Sequence, residues 1–144
     1  MKVMAKRVFI DSNIFLNFLL REEGFYEGAK SLLTRIEKGD MEGITTLINI
    51  MEILSVLRKR STAKDSEIVK DVEKIGEIQN LEIIIPSEIH IAQALEIQKI
   101  TKLLPTDAIL ISTARDFSDV FVSRDAELKR KASGFIAVVE PEEL

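Results

Sequence analysis

The chain has 144 residues, a net charge of −4, one histidine and no cysteine. Apolar residues make up 46% of it and charged residues 31%, which is typical of a globular protein with a substantial core, and the length suits a single domain over residues 1–144. This composition excludes disulfides, sulfur-bound zinc and a multi-histidine metal site, and the acidic balance argues against broad electrostatic binding to nucleic acid.

The sequence contains no obvious membrane or export segment. No apolar run reaches the roughly 18 residues of a membrane span, and the first predicted strand comes early in the chain with no evident signal peptide before it. We therefore expect a cytoplasmic protein without a membrane partner. Any metal site has to be built mainly from oxygen ligands, which favours Mg²⁺ or Mn²⁺.

Short β-branched segments alternate with longer amphipathic ones. Apolar runs predict strands at residues 8–10, 43–46, 81–85, 119–123 and 135–139. Helical periodicity predicts helices at residues 14–20, 26–38, 47–60, 64–80, 88–102, 108–115 and 124–132. Strands that alternate with helices imply a parallel sheet covered on both faces, so the predicted fold is a three-layer α/β/α sandwich with about five parallel strands.

Several residues between these segments favour a helix end. Gly39 is placed to end the helix at residues 26–38, and Ser87 can cap the helix that follows it. Thr106 is a natural N-cap for the helix at residues 108–115. His90 falls in the first two turns of its helix, and we expect it at the surface or at the boundary of the core.

An acid directly follows the first predicted strand, in the run Val8-Phe9-Ile10-Asp11. Open α/β sheets bind ligands at the carboxyl ends of their strands, where Asp11 would lie. A dry, unpaired carboxylate is costly, so Asp11 needs water, hydrogen-bond donors or a cation. One interpretation is a divalent metal shared with acids from far along the chain. The other is that Asp11 only caps the helix beginning near Ser12.

Three further acids occupy comparable places. Glu52 lies on a helix after the second strand, Asp107 opens a helix after a Pro-Thr turn, and Asp125 follows the fourth strand. Glu52 gives the strongest local signal, because a lone acid in so apolar a run needs a partner or a function. Simpler explanations exist. Asp107 and Asp125 are favourable at helix N-termini by about 0.3–1 kcal/mol each, and Glu52 could be an ordinary exposed helix residue.

Four runs taken together resemble the PIN domain family. They are Phe9-Ile10-Asp11-Ser12-Asn13, Asn49-Ile50-Met51-Glu52-Ile53-Leu54, Leu104-Pro105-Thr106-Asp107-Ala108-Ile109-Leu110 and Phe121-Val122-Ser123-Arg124-Asp125. They cover nearly the whole chain in the order and spacing of the family. The resemblance implies a PIN-like parallel sheet with helices on both faces and the activity of a metal-dependent ribonuclease. The sequence departs from the family pattern at Ser123, where threonine is frequent, and after Asp125, where no aromatic residue follows.

The resemblance also implies the roles of particular residues. It makes the four acids the catalytic and metal-binding residues: Asp11, Glu52, Asp107 and Asp125. Asn13 and Ser123 match the polar positions that support the first and last of these acids. The implied reaction is hydrolysis of an RNA phosphodiester bond by a metal-activated water, with Mg²⁺ or Mn²⁺ as the cofactor.

Partners are implied in the same way. Small single-domain PIN proteins of the VapC type are toxins that often pair with a small antitoxin and form homodimers. An apolar surface on the helix pair at residues 47–80 could serve either contact. Arg58, Arg60 and Arg124 are possible RNA-contacting residues, although cations at a helix C-terminus are as easily explained as solvated side chains.

Two other functions remain open from the sequence. A non-catalytic PIN module that binds RNA or protein would have the fold without the activity, but an inert scaffold has no need of all four acids. A phosphatase with an aspartyl nucleophile also has an acid after its first strand. That chemistry normally needs a second acid two residues later, where this chain has Asn13.

Overall fold

The computed structural model describes residues 7–144. Residues 1–6 lie outside this range. The expectation that no signal peptide precedes the first strand concerns these residues and therefore also lies outside the described part of the chain. The strands are β1 (Arg7–Ile10), β2 (Glu42–Thr46), β3 (Leu81–Ile84), β4 (Val120–Val122) and β5 (Val138–Val139). The helices are α1 (Ser12–Leu19), α2 (Tyr26–Glu37), α3 (Leu47–Arg60), α4 (Asp65–Gly76), α5 (Glu88–Thr101), α6 (Pro105–Phe117) and α7 (Ala126–Ala132). A 3₁₀ turn at Pro141–Glu143 follows β5.

The strands described in residues 7–144 form one parallel sheet in the order β3-β2-β1-β4-β5. β1 lies in the middle, where Phe9 is level with Ile44 of β2 and Phe121 of β4. The chain adds β2 and β3 on one side of β1 and then crosses to β4 on the other, so the strand order reverses next to β1. Ligands of open α/β sheets bind at such a reversal, and Asp11 follows β1 at this point.

Because side chains alternate along β1, neighbouring residues of this strand pack in two cores on opposite faces of the sheet. Val8 and Ile10 pack with α1, α2, α3 and α4, whereas Phe9 packs with α5, α6 and α7. Phe9 also stacks on Phe121, with the ring centroids 4.7 Å apart. The predicted three-layer α/β/α fold with five parallel strands is therefore confirmed for the described residues.

Helix ends fall close to the predicted positions, with two differences. Gly39 follows α2 with φ +87°, as expected of a residue that ends a helix. α4 ends at Gly76 and not at Asn80. Asn80 takes a left-handed φ of +65°, which is not helical, and its amide donates to the carbonyl of Ile36. Thr106 was wrongly predicted as an N-cap, since α6 begins at Pro105. Proline suits the first helical position, where its missing N–H loses no partner.

The expectation that His90 lies at the surface or boundary is wrong, since the residue is 5% exposed. Its Nδ1 accepts the backbone N–H of Ser87 at 3.1 Å, which completes a capping box at the start of α5. Its Nε2 lies 2.7 Å from Oδ2 of Asp116 on α6. Both ring nitrogens are satisfied, so the ring can be buried at low cost. The helical pattern around His90 does not reveal a partner that lies on another helix.

Large apolar side chains are exposed on α5 and on the segments beside it. They are Ile85, Ile89, Ile91, Leu95, Ile100 and Leu104. The helix pair α3 and α4, where the sequence predicted an apolar surface, exposes Leu47, Met51 and Val69. Within residues 7–144, no helix is both long enough and apolar enough to cross a membrane.

Candidate active site

Asp11 lies between β1 and α1, and its carboxylate is surrounded by hydrogen-bond donors. Oδ2 accepts from the hydroxyl of Ser123 at 2.7 Å and from the amide of Asn13 at 3.3 Å. Oδ1 accepts from the backbone N–H of Ser12 at 2.8 Å and from Nδ2 of Asn49 at 3.5 Å. Asp11 is indeed the N-cap of α1, but the N-cap role does not account for the donors from Ser123 and Asn49.

Ser12 and Asn49 connect Asp11 with Glu52. The hydroxyl of Ser12 donates to Oε1 of Glu52 at 3.1 Å and accepts from Nδ2 of Asn49 at 2.9 Å. Asn49 is fixed in turn by Thr46, whose hydroxyl donates to Oδ1 of Asn49 at 2.6 Å. Glu52 as a whole is exposed, so its apolar sequence neighbours do not bury it. Its carboxylate nevertheless has the side-chain partner that the apolar run suggested.

Asp125 is joined to Asp11 through one hydroxyl group. Its backbone N–H donates to Oγ of Ser123 at 3.1 Å, and the same hydroxyl donates to Asp11. Oδ1 of Asp125 accepts the backbone N–H groups of Glu127 and Leu128, each at 3.0 Å, and so caps α7. The helix-capping explanation of Asp125 therefore holds, and it is compatible with a shared site because Ser123 serves both acids.

The ionisation of Asp11 and Glu52 is perturbed by their surroundings. Burial is the main cause that raises the pKa of Asp11 to about 6, repulsion from Glu52 and Asp107 adds to it, and hydrogen bonds from Ser123 and Ser12 oppose it. Burial of the carboxylate and repulsion from Asp107 also raise the pKa of Glu52, while the Ser12 hydrogen bond lowers it.

Asp107 interacts with the other three acids through its negative charge. It lies in the first turn of α6, where burial and repulsion from Asp125 and Glu127 raise its pKa and the ammonium group of Lys131 lowers it. Asp107 therefore interacts with Asp125 and also with Asp11 and Glu52. The structure thus brings the four acids of the sequence prediction into one electrostatically coupled group.

The chemistry of this group fits a hard divalent cation. Its donors are carboxylate oxygens, which Mg²⁺ and Mn²⁺ prefer, and a cation relieves the repulsion that helps to raise the pKa values of Asp11, Glu52 and Asp107. As the side chains stand, no group of three or more acidic, histidine or cysteine residues between positions 7 and 144 is arranged to hold a metal ion. The donor set therefore fits by its chemistry, and metal binding requires the side chains to rotate toward one another.

Arg124 was one of the possible RNA contacts, but the structure places its guanidinium inside the protein. Nε donates to Oδ1 of Asn17 at 2.7 Å, and Nη1 lies 2.7 Å from Oε1 of Glu142. The side chain is 9% exposed. An RNA contact through this side chain would require these internal bonds to break.

Arg58 and Arg60 end α3 and present their guanidinium groups to solvent. Arg58 lies 3.8 Å from Asp65, and Arg60 lies 3.3 Å from Glu22. Exposed pairs of this kind contribute little to stability, so both arginines can exchange their partner for a phosphate.

The sequence assigned no role to Asn49, although it lies within one of the quoted runs. Asn49 has no exposed surface, and it contacts Asp11, Ser12 and Thr46 through its amide. The signal was present in the sequence: a polar amide sits between Ile48 and Ile50, and a buried amide needs partners. The identity of those partners depends on tertiary structure.

The fold and the site define a class of protein: a parallel α/β domain with coupled carboxylates where its strand order reverses. The sequence pattern of the PIN domain family matches residues 8–134, so the chain belongs to the PIN domain family. The matched region extends from β1 through α7 and includes the four acids. Members of this family are generally nucleases and generally use divalent metal ions.

Solved structures of toxin proteins have the same fold. A toxin–antitoxin complex from Klebsiella pneumoniae aligns with a TM-score of 0.64 at 20% identity, over 95% of this chain and 99% of that chain. FitAcB from Neisseria gonorrhoeae gives 0.68 at 16% identity, over 95% and 99%. VapC20 of Mycobacterium tuberculosis, a toxin that cleaves the sarcin–ricin loop, gives 0.70 at 15% identity, over 90% and 96%. No curated protein sequence matches the chain.

Proposed function

We propose that the protein is a metal-dependent endoribonuclease that hydrolyses RNA phosphodiester bonds. Its metal-binding and catalytic acids would be Asp11, Glu52, Asp107 and Asp125. The observation that carries this proposal is that Ser12, Asn49 and Ser123 link Asp11 with Glu52 and Asp125 by hydrogen bonds. Asp107 interacts with these acids through its charge. A bound Mg²⁺ or Mn²⁺ ion supplies a more acidic water as the nucleophile and neutralises charge on the phosphate.

Neighbouring residues of the chain orient these acids. The hydroxyl of Ser123 and the amide of Asn13 both donate to Oδ2 of Asp11, and the hydroxyl of Ser12 donates to Glu52. Oδ1 of Asp125 accepts both hydrogen bonds from the backbone N–H groups of α7, so Oδ2 can face a cation. Arg58 and Arg60 are the surface cations that we assign to the RNA backbone, and the products are expected to carry a 5′-phosphate.

We further assign the protein to the toxins of toxin–antitoxin pairs, acting in the cytoplasm. The support is the fold shared with toxin structures. A cavity of about 450 Å³ lies between α1, α2 and α4 and is lined in large part by apolar side chains such as Phe15, Phe18 and Ile75. An apolar segment of an antitoxin would fill this cavity, and α4 belongs to the helix pair that the sequence had suggested for this contact.

A homodimer is the second expected assembly. Ile85, Ile100 and Leu104 are 73%, 70% and 68% exposed, and large apolar side chains concentrated on one helix and its flanks are typical of association sites on proteins. We assign the α5 surface to a second copy of the chain. Leu95→Glu places a charge in this surface and should convert a dimer to a monomer in sedimentation analysis. A wild-type chain that sediments as a monomer over the micromolar range would contradict this assignment.

The nuclease proposal is tested by incubating the purified chain with structured and unstructured RNA in Mg²⁺, in Mn²⁺ and in EDTA. We expect internal cleavage with either metal, none with EDTA, and a loss on the order of 100-fold or more for Asp11→Asn and Asp107→Asn. Asp40→Asn is the matched control, because Asp40 is exposed and outside the site. No cleavage by the wild type, with RNA still bound, would instead indicate a non-catalytic PIN module.

A further inference from the structure

The side chain of Arg124 connects three other parts of the chain. Nε donates to Oδ1 of Asn17 on α1 at 2.7 Å, and Nη2 donates to the carbonyl of Phe25 before α2 at 3.2 Å. Nη1 lies 2.7 Å from Glu142 in the 3₁₀ turn, and the ring of Phe25 lies 4.8 Å from Cζ. The Arg124 side chain is 9% exposed and that of Glu142 is 52% exposed, so the guanidinium is enclosed by the protein while its carboxylate partner reaches solvent.

The backbone of Arg124 belongs to the proposed site. The residue lies between Ser123, whose hydroxyl donates to Asp11, and Asp125. Its N–H donates to Oδ1 of Asn13 at 3.3 Å, and Nδ2 of Asn13 donates to Asp11 at 3.3 Å. The bonds that hold the Arg124 side chain therefore also restrain the residues that orient the first and last acids.

Gly28 shows that the position of Glu142 is built into the packing. A Cβ atom on Gly28 would lie 2.7 Å from Oε1 of Glu142, which is too close for either atom to stay in place. Glycine inside a helix is unfavourable, and here it leaves room for the carboxylate that pairs with Arg124. Pro141 and Leu144 on either side of Glu142 are buried, so this segment is anchored against the domain.

We propose that Arg124 and Glu142 are positioning residues for the nuclease reaction. The pair fastens residues 140–144 to α1 and α2, and through the Arg124 backbone it holds Asn13, Ser123 and Asp125 in place. Neither side chain needs to touch RNA or metal for this role. The inference rests on the proposed nuclease function, so its test includes a measurement that does not depend on cleavage.

Gly28→Ala tests the pair without changing either charged residue. Alanine is the better helix former, and the atom it displaces is the end of a flexible side chain, so the fold should remain intact while the Arg124–Glu142 pair is weakened. Gly76→Ala is the matched control, because a Cβ at Gly76 in α4 meets no atom within 4 Å. In ¹⁵N-resolved NMR spectra, we expect Gly28→Ala to shift the Arg124 backbone amide and the Asn13 side-chain amide, and Gly76→Ala to leave both unchanged.

The kinetic expectation is a fall of about tenfold in kcat with KM unchanged for Gly28→Ala, as is typical when the support of a metal site is loosened. Mn²⁺ affinity, measured by calorimetry, should weaken by a similar factor. Glu142→Gln should show the same losses in kcat and Mn²⁺ affinity, and Glu27→Gln on α2 is its control. Arg124→Lys should lose at least as much, because one ammonium group cannot replace a planar guanidinium bonded on three sides.

The outcomes separate the two proposals. NMR signals of Asn13 and Arg124 that do not move in Gly28→Ala and Glu142→Gln would overturn the positioning role, whatever the activity. Shifted signals with wild-type kcat and wild-type Mn²⁺ affinity would overturn it as well. If the wild type cleaves no RNA, the nuclease proposal fails, and the positioning role is then decided by the NMR signals together with the Mn²⁺ affinity.

Discussion

The hydroxyl of Ser12 donates a hydrogen bond to the carboxylate of Glu52 across 3.1 Å, and this bond joins the first turn of α1 to α3. The same hydroxyl accepts from the buried amide of Asn49. One small side chain therefore serves both an acid of the proposed site and a polar group with no access to water.

Ser12→Ala should destabilise the folded protein by about 1–3 kcal/mol, because it leaves the Asn49 amide short of an acceptor. It should also raise the pKa of Glu52 further, since the Ser12 hydrogen bond lowers that pKa. Urea denaturation measures the first effect and NMR titration of the Glu52 carboxyl carbon the second. Ser66→Ala, at an exposed position of α4, is the control, and equal stability of the two variants would contradict the expectation.

Asp125 allows the capping role to be separated from the catalytic one. Asp125→Asn keeps an oxygen that can accept the two amides of α7, so its stability should stay near that of the wild type, whereas Asp125→Ala should lose about 1 kcal/mol. RNA cleavage should fall on the order of 100-fold in both variants, because neither retains the charge. If Asp125→Asn cleaves RNA as fast as the wild type, Asp125 serves only as a helix cap.

The raised pKa of Asp11 makes stability depend on pH in a defined direction. The folded carboxyl holds its proton up to about pH 6, whereas an ordinary aspartate has a pKa of 3.8, so the folded state binds more protons than the unfolded state between these values. The contribution of Asp11 to the free energy of unfolding is complete below pH 3.8 and is lost as the pH rises through about 6. The loss amounts to roughly 2–3 kcal/mol at 1.36 kcal/mol per pKa unit.

This dependence is measured by urea denaturation in EDTA between pH 4 and 7.5, with Asp11→Asn as the reference that cancels other groups. The wild type should become less stable relative to Asp11→Asn as the pH rises. Mg²⁺ or Mn²⁺ should raise wild-type stability at pH 7.5 and have little effect at pH 5, because a protonated carboxyl is a poor ligand. A metal effect of the same size at both pH values would contradict the raised pKa.

His90 should be structural. His90→Ala removes the acceptor of the Ser87 N–H and the partner of Asp116, and it leaves a cavity between α5 and α6, so we expect a loss of about 2–3 kcal/mol. Faster hydrogen exchange in α5 should accompany it. RNA cleavage under conditions where the variant is folded should be unchanged, and a selective loss of cleavage at full stability would show that this histidine has a direct role.

Much of the fold follows from patterns that are local in sequence. β-branched runs, helical periodicity and residues such as Gly39 and Ser87 act within one or two turns of chain, so they can be recognised without knowing which elements pack together. The alternation of strands and helices then allows few arrangements other than a parallel sheet. Asp11, Asp107 and Asp125 stand out for the same reason, since each lies near the end of a predicted strand or the start of a predicted helix. Glu52 stands out instead as a lone acid within an apolar helical run.

The tertiary structure alone decided how those acids are held. Ser123 reaches Asp11 only because β4 lies beside β1 in a fixed register, which brings residues far apart in the chain to one edge of the sheet. Packing between distant segments also determines the burial of His90, the buried position of the Arg124 side chain and the contacts of Asn49. The partner of a buried polar group is set by packing between distant segments, and no local pattern carries that information.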